Sequence, residues 1–256
     1  MKTLSAFIKK DLTEQLRSGK LVFLLILFTA FGIMNPAVAK LTPWLLEMLA
    51  DSLAESGMTV TEVTVSAMDS WVQFFKNIPM ALIAFVLLEN AVFTAEYSTG
   101  TLVLSFTKGL ERFKVVISKA SMLSVLWTGC YWLCFAITYL YNDFFWDNSV
   151  ASNLLFSTVC YWIFGLYTVM LITLFSVISD TNTGVLLETG GTVFALYIVS
   201  LIPKIGKYLP IKLTDGNSII YATQDAGEYL AALIITLALA VLSFAVSIPI
   251  FNKKQF

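Results

Sequence analysis

Two carboxylates, Glu89 and Glu188, stand inside long apolar stretches, Glu89 followed by Asn90 and Glu188 by Thr189-Gly190-Gly191. A charge in hydrocarbon costs about 2.5–3.5 kcal/mol even on lenient insertion scales, so each acid is expected to face a bundle interior or a water-filled cavity. One reading is structural, a hydrogen-bonded helix contact or a snorkelling group with Lys119 as partner. The other makes Glu89, Asn90 and Glu188 the polar lining of an inward-facing cavity. Neither acid is accompanied by a nucleophile, a metal set or a second carboxylate at defined spacing, so no catalytic residue is assigned and no enzyme is expected. The chain has no histidine, and the usual zinc and haem ligand sets are missing with it. Cys130, Cys134 and Cys160 fall within apolar stretches and read as small packing residues rather than a disulfide framework. No stretch matches Gly-x-x-x-x-Gly-Lys-[Ser/Thr], so the chain cannot cradle nucleotide phosphates as a P-loop does.

The elements that must hold these residues follow from hydropathy. With 58% apolar and 13% charged residues, the composition is that of a membrane protein. A spanning helix needs roughly 20 mostly apolar residues, because its backbone polar groups must be satisfied internally. Six stretches qualify, near Leu21–Val38, Ile78–Ala95, Ala120–Tyr141, Leu154–Ile178, Thr183–Ile202 and Tyr229–Phe251. The fold class is therefore an all-α membrane protein of six transmembrane helices, read as a single domain over 1–256. Leu21–Met34 followed by Ala37-Val38-Ala39 also resembles a signal-peptide core. The preceding segment is long and amphipathic and contains Asp11 and Glu14, so the stretch is read as a span instead.

Basic residues are retained on the cytoplasmic side during insertion. With both termini inside, eleven of the sixteen Lys and Arg residues lie on the inner face, while ten of the seventeen acids lie outside. That orientation places the chain as a multi-pass protein with cytoplasmic termini. A net charge of −1 gives no argument for nucleic acid as a partner; membrane lipid is the expected surroundings.

Other segments carry pattern. Leu4, Phe7, Ile8, Leu12 and Leu16 recur at helical spacing over 1–20, which predicts an interfacial helix that anchors to the cytoplasmic headgroups or also touches a partner. The first outer connection predicts two helices. One starts at Pro43 and carries Leu45, Leu46, Leu49 and Leu53; the other is capped by Thr59 and Glu62 and ends at an Asn77–Pro79 break. Ser179–Gly184 reads as a tight cytoplasmic turn, and Pro203, Pro210 and Asp215-Gly216 mark an outer re-entrant or loop region.

The most polar segment lies between the second and third spans, Glu96-Tyr-Ser-Thr-Gly-Thr, then Leu102 to Phe106, then Arg112 to Lys119. An acidic residue, a Gly-Thr pair, an apolar stretch and a basic segment in this order resemble the loop after the second membrane helix in ABC-2 type ABC-transporter permeases. In that family the loop forms a coupling helix seated on a separate ATP-hydrolysing subunit. The resemblance implies ATPase-coupling roles for Glu96, Tyr97, Gly100, Thr101, Glu111, Arg112 and Asp180. It also implies an ABC ATP-binding partner that carries ATP and Mg, with no cofactor on this chain, and a homodimer or a heterodimer with a second permease. The location it implies is a bacterial plasma membrane. The expected function is the permease subunit of an ATP-driven exporter of amphipathic peptides or other hydrophobic compounds. Small members of similar layout export phenol-soluble modulins, lantibiotics or bacitracin-type antibiotics. A proton-coupled secondary transporter using Glu89 and Glu188, and a non-transporting immunity or assembly factor, are the competing readings.

Overall fold

A computed structural model describes residues 2–49, 64–107, 109 and 111–254. Among the described residues the chain is helical with no strand. In order the helices are α1 (Lys2–Arg17), α2 (Lys20–Met48), α3 (Ala67–Glu89), α4 (Thr94–Thr99), α5 (Thr101–Thr107), α6 (Arg112–Phe145), α7 (Leu154–Ile178), α8 (Asn182–Ser200), α9 (Pro203–Gly206), α10 (Gly216–Ile220) and α11 (Leu230–Lys253). Six of them, α2, α3, α6, α7, α8 and α11, are long and apolar enough to cross a membrane. Helix α2 packs against α3 and α6, α11 against α7, and α6 joins the two groups through α7.

Several boundaries differ from those read off hydropathy. The helix expected to begin at Pro43 is the continuation of α2, which runs through Pro36 and Pro43 for 29 residues. At 1.5 Å per residue that is about 43 Å, well beyond the apolar core of a bilayer. The expected cap at Thr59 and Glu62 lies outside the described residues. The cap observed for α3 is Ser66, whose side chain accepts from Met68 N while Asp69 reaches back to Ser66 N. Nor does the chain break at Asn77–Pro79, because α3 continues through Pro79 to Glu89. Proline removes only one backbone bond, and neighbouring helices in a membrane bundle can supply a replacement. The basic run Arg112–Lys119, grouped with the loop by composition, is the first two turns of α6.

The α2–α6 contact shows how such a replacement is made. Pro36 has no N–H to give to the carbonyl of Gly32, four residues earlier. Thr138 Oγ1 on α6 donates to that carbonyl at 3.0 Å, and Asn35 Nδ2 donates to Thr138 Oγ1 at 3.1 Å. Asn77 Nδ2 on α3 then donates to Asn35 Oδ1 at 2.9 Å, so three helices share one polar chain. The close approach requires glycine: a Cβ on Gly32 would lie 2.9 Å from Ile137 Cβ and 3.1 Å from the Cys134 carbonyl oxygen.

The rest of the core is aromatic. Trp127 of α6 meets Phe28 of α2 and Phe85 of α3 edge-on at 6.0 and 5.6 Å, and Tyr131 stacks on Tyr161 of α7 with planes 2° apart. Trp127 fits because α7 carries Gly165 beneath it; a Cβ there would come within 2.1 Å of the indole.

The bundle has two unlike ends. One gathers α1, the 90–111 segment, the turn after α7 and the end of α11 through Lys254 Nζ to Val177 O, Tyr97 OH to Ser176 O and Arg112 to Asn252 O. The other is closed by the segment between α8 and α11, where Gly216 lies against the Phe75 ring and Ser152 N donates to Ile220 O at 3.0 Å. The turn-rich region of the sequence thus folds inward, burying Pro210, Leu213, Ile219, Ile220 and Tyr229.

Replacing Thr138 with Val keeps the shape but leaves the Gly32 carbonyl and Asn35 Nδ2 without their partner in a buried interface. The expected loss is about 1–3 kcal/mol, seen as a lower melting temperature in detergent, whereas Thr138→Ser retains the bond and melts close to the parent.

Candidate functional site

The end of the bundle that carries α1 contains a folded polar segment. Helix α3 stops at Glu89, with Asn90 as its cap and Asn90 Nδ2 donating to Leu87 O at 3.0 Å. After a short turn α4 runs only to Thr99, where Gly100 adopts the left-handed conformation at φ 65° and ends it. Helix α5 follows. Leu102 is fully buried, and Phe106 packs edge-on to Phe251 of α11 at 6.3 Å, so this helix is held by its apolar face. Gly109 repeats the left-handed turn at φ 86°, and Glu111 in extended conformation leads into α6.

Beneath this segment lies a cluster of buried charges. Lys119 Nζ on α6 stands 3.4 Å from Asp11 Oδ1 of α1 and 3.3 Å from Glu96 Oε1 of α4, and all three side chains are almost wholly buried. Lys10 Nζ reaches the same Glu96 oxygen at 2.5 Å from a half-exposed position. Ser118 Oγ donates to Asp11 Oδ2 at 3.1 Å. One turn further along α1, Gln15 Nε2 donates to Glu89 Oε2 at 2.7 Å. Burial pushes the Asp11 carboxyl above its ordinary range, an effect the Lys119 ammonium opposes. Burial alone would lower Lys10, but its bond to Glu96 and that carboxylate's charge outweigh burial, and its pKa lies above the usual 10.5. The carboxylates of Asp11, Glu14 and Glu96 come within 4.8 Å of one another, a spacing that could hold a metal ion. Two ammonium groups already neutralise Asp11 and Glu96, so the arrangement is an ion-pair cluster in which α1, α4 and α6 meet.

Helix α1 is consequently turned in an unexpected way. Leu12 and Leu16, the described part of its apolar stripe, are about half exposed, while Asp11 and Gln15 face the bundle. Asp11 and Gln15 lie about 100° around the helix from Leu12 and Leu16, so two polar residues set within the apolar arc make the contact and these two leucines stand at its edge.

The seven residues singled out for coupling divide into two groups. Glu96, Tyr97 and Arg112 are anchors. Tyr97 OH donates to Ser176 O at 2.9 Å beneath the Lys254 ammonium, and Arg112 donates to the Asn252 and Lys254 carbonyls beside the Phe106 ring. Gly100, Thr101, Glu111 and Asp180 are exposed. Thr101 Oγ1 is 3.1 Å from Thr99 Oγ1, Glu111 pairs with Lys114, and Asp180 pairs with Lys254 at 2.7 Å. Thr94 bonds Asn182 at the start of α8, so the 179–182 turn and the tip of the 94–111 segment belong to one surface.

The three cavity candidates do not act together. Glu89 is fully buried against Gln15, whereas Glu188 accepts from Ser179 Oγ at 2.8 Å on a different helix pair, and Asn90 is spent on its own helix end. The partners of Glu89 and Glu96 on α1 escaped the sequence reading. Their signal was the i, i+4 pair Asp11 and Gln15, two polar residues set within the arc of α1 that Leu4, Phe7, Ile8 and Leu12 occupy in the sequence pattern.

No family model matches this chain, and no curated protein matches it.

Replacing Lys119 with Met takes the ion-pair partner from the buried Asp11 carboxylate and leaves Glu96 to Lys10. The expected destabilisation is about 3–5 kcal/mol by melting in detergent, largely recovered when Asp11→Asn is added. Lys10 behaves differently, because its pKa is raised by folding. Its contribution is complete below the ordinary value of 10.5 and fades as pH rises through the folded value. The melting temperature of Lys10→Met should therefore fall less than that of the parent at strongly alkaline pH, the two curves converging there.

Proposed function

We propose that this chain is the membrane subunit of an ATP-driven exporter and receives its energy from a separate ATP-hydrolysing subunit docked on the end that carries α1. The observation that supports this reading is the division of the 94–111 segment into an exposed tip and buried anchors. A loop that merely connects two spans has no need of a fully buried glutamate, and a passive surface has no need of a structured tip. Here Gly100, Thr101, Glu111 and Asp180 offer a polar docking surface, and displacement of that surface is transmitted through Glu96 to α1 and α6. This end is the cytoplasmic one by the charge asymmetry of the sequence, which puts both termini and the docking partner on the same side. The substrates that suit apolar membrane walls and an acidic outer face are amphipathic peptides or other hydrophobic compounds. Two copies, or one copy with a related permease, would frame the path.

The test is to express the chain with candidate nucleotide-binding subunits and to alter only the exposed tip. Thr101→Arg combined with Glu111→Arg should reduce copurification and ATP-driven transport by about tenfold or more, as expected when charge is placed wrongly in an interface, while leaving the melting temperature near that of the parent. Single cysteines on a cysteine-free background supply the second arm. An impermeant reagent applied to intact cells should label Glu228→Cys and spare Glu111→Cys. Labelling at 111 from outside, or full coupling in the tip variant, would overturn the proposal. Transport that ignores the tip but is abolished by Glu89→Gln would favour a proton-linked transporter instead.

A further inference from the structure

Helix α8 is the least embedded of the six spans, burying only Val185 and Thr189. Between it, α3 and α7 lies a slot of about 400 Å³, walled by Leu82, Val86, Phe164 and Val193, with Ile83 and Phe194 exposed at its rim. That volume falls within the roughly 300–1,000 Å³ typical of ligand sites. One polar atom in the wall is unaccounted for. Thr189 is 1% exposed, yet its Oγ1 has no hydrogen-bond partner, although Thr192 on the same helix returns its hydroxyl to Glu188 O at 2.7 Å. A buried hydroxyl left unpaired is costly and points to a group that enters the slot.

The slot leads to a second cavity. Ile211 stands in its wall and also in the wall of a cup of about 350 Å³ lined by Ser200, Lys207, Lys212, Thr214 and Asp215. Two lysines face one aspartate there. Lys212 bonds Gln224 and lies 4.4 Å over the Tyr229 ring, and Lys207 lies 4.9 Å over Tyr208. The cup is therefore positive, and it sits at the end of the bundle remote from α1. Exposed Tyr197 and Tyr208 beside it match the aromatic residues that mark headgroup level.

We propose that the slot and cup bind one phospholipid with an anionic headgroup, an acyl chain lying along α8 and the phosphate meeting Lys207 and Lys212. An apolar trough that opens sideways and ends in a cationic polar cup has the division of a phospholipid, and lipid surrounds the protein at high concentration. A second copy of the chain could cover the outer face of α8 but would leave the concave wall and the lysines unfilled. An amphipathic peptide would need polar partners along its length, and in the buried wall of the slot Thr168 already returns its hydroxyl to Phe164 O, which leaves that of Thr189.

The test uses the full chain purified in neutral detergent and observed by native mass spectrometry with dioleoyl phosphatidylglycerol or dioleoyl phosphatidylcholine at equal concentration. Phosphatidylglycerol should be retained in preference, and each of Lys207→Ala and Lys212→Ala should weaken that preference by about fivefold. Gly190 lines the slot, and a Cβ there meets nothing within 4 Å, so Gly190→Leu should fill the slot without a clash and expel both lipids at an unchanged melting temperature. Equal retention of the two lipids, no retention of either, or phosphatidylglycerol binding indifferent to these variants would overturn the proposal. A shift from dimer to monomer in Gly190→Leu with lipid binding unchanged would overturn it in favour of a second copy.

Discussion

Lys119 is the point on which one end of this bundle depends. A lysine on the first turns of a membrane helix ordinarily extends its ammonium to water. Here it is held inside, between an aspartate from α1 and a glutamate from α4, and Ser118 beside it completes the coordination of Asp11. Desolvating these charges is expensive, and only their mutual attraction offsets it. The three elements are consequently interdependent. Without Glu96 or Asp11 the lysine has no reason to point inward, and without the lysine α1 falls back on Ser118 for its tie to α6 and α4 on its bonds to Lys10, Asn182 and Ser176. A buried ion pair adds little stability over an apolar contact, but it discriminates strongly against other arrangements, here against α1 lying anywhere else on the bundle.

The opposite end is organised by a different force. There the chain fills space with aromatic rings and with backbone brought close by glycine, as at Gly216 under Phe75, and its polar groups are satisfied by local caps such as Asp215 to Ser218 N. Between the two ends the Thr138, Asn35 and Asn77 chain repairs the gap that Pro36 leaves in α2. Proline, glycine and hydroxyl therefore work as one unit across three helices, and the unit explains how α2 continues through Pro36.

Hydropathy was enough to find all six spans, because twenty apolar residues in a row have few other uses. Leu154–Ile178 coincides with α7 to the residue. Composition failed where polar residues belong to membrane helices. Arg112 to Lys119 looks like loop by charge, but it is helical because Lys119 finds its partners inside the fold, a fact held by residues about a hundred positions away. Pro43 and Pro79 look like boundaries, but both are helix interior, since a proline removes a single backbone bond and a membrane helix tolerates that loss. Glu89 and Glu188 were visible as costly residues inside apolar stretches, and each has a polar partner, Gln15 and Ser179 respectively, whereas Glu96 stood in the sequence as part of a polar loop. That Glu89 and Glu96 find partners on the N-terminal helix could not be read from its leucines, since Asp11 and Gln15 interrupt the arc that those leucines define and the pattern leaves open which part of the arc meets the protein.

The arrangement also decides what a push on the exposed tip can do. A short helix attached only by flexible turns would absorb a displacement by bending at Gly100 and Gly109. Helix α4 is instead joined through Glu96 to α1 and α6, through Thr94 to the start of α8, and through Tyr97 to the end of α7. Movement of the tip thus loads four other helices at once. The two glycines set where the chain turns into and out of α5, which is itself held to the bundle by Leu102 and Phe106. In the proposed docking, a push on the tip is therefore carried into the bundle by the bonds of α4 rather than lost at the left-handed turns of Gly100 and Gly109.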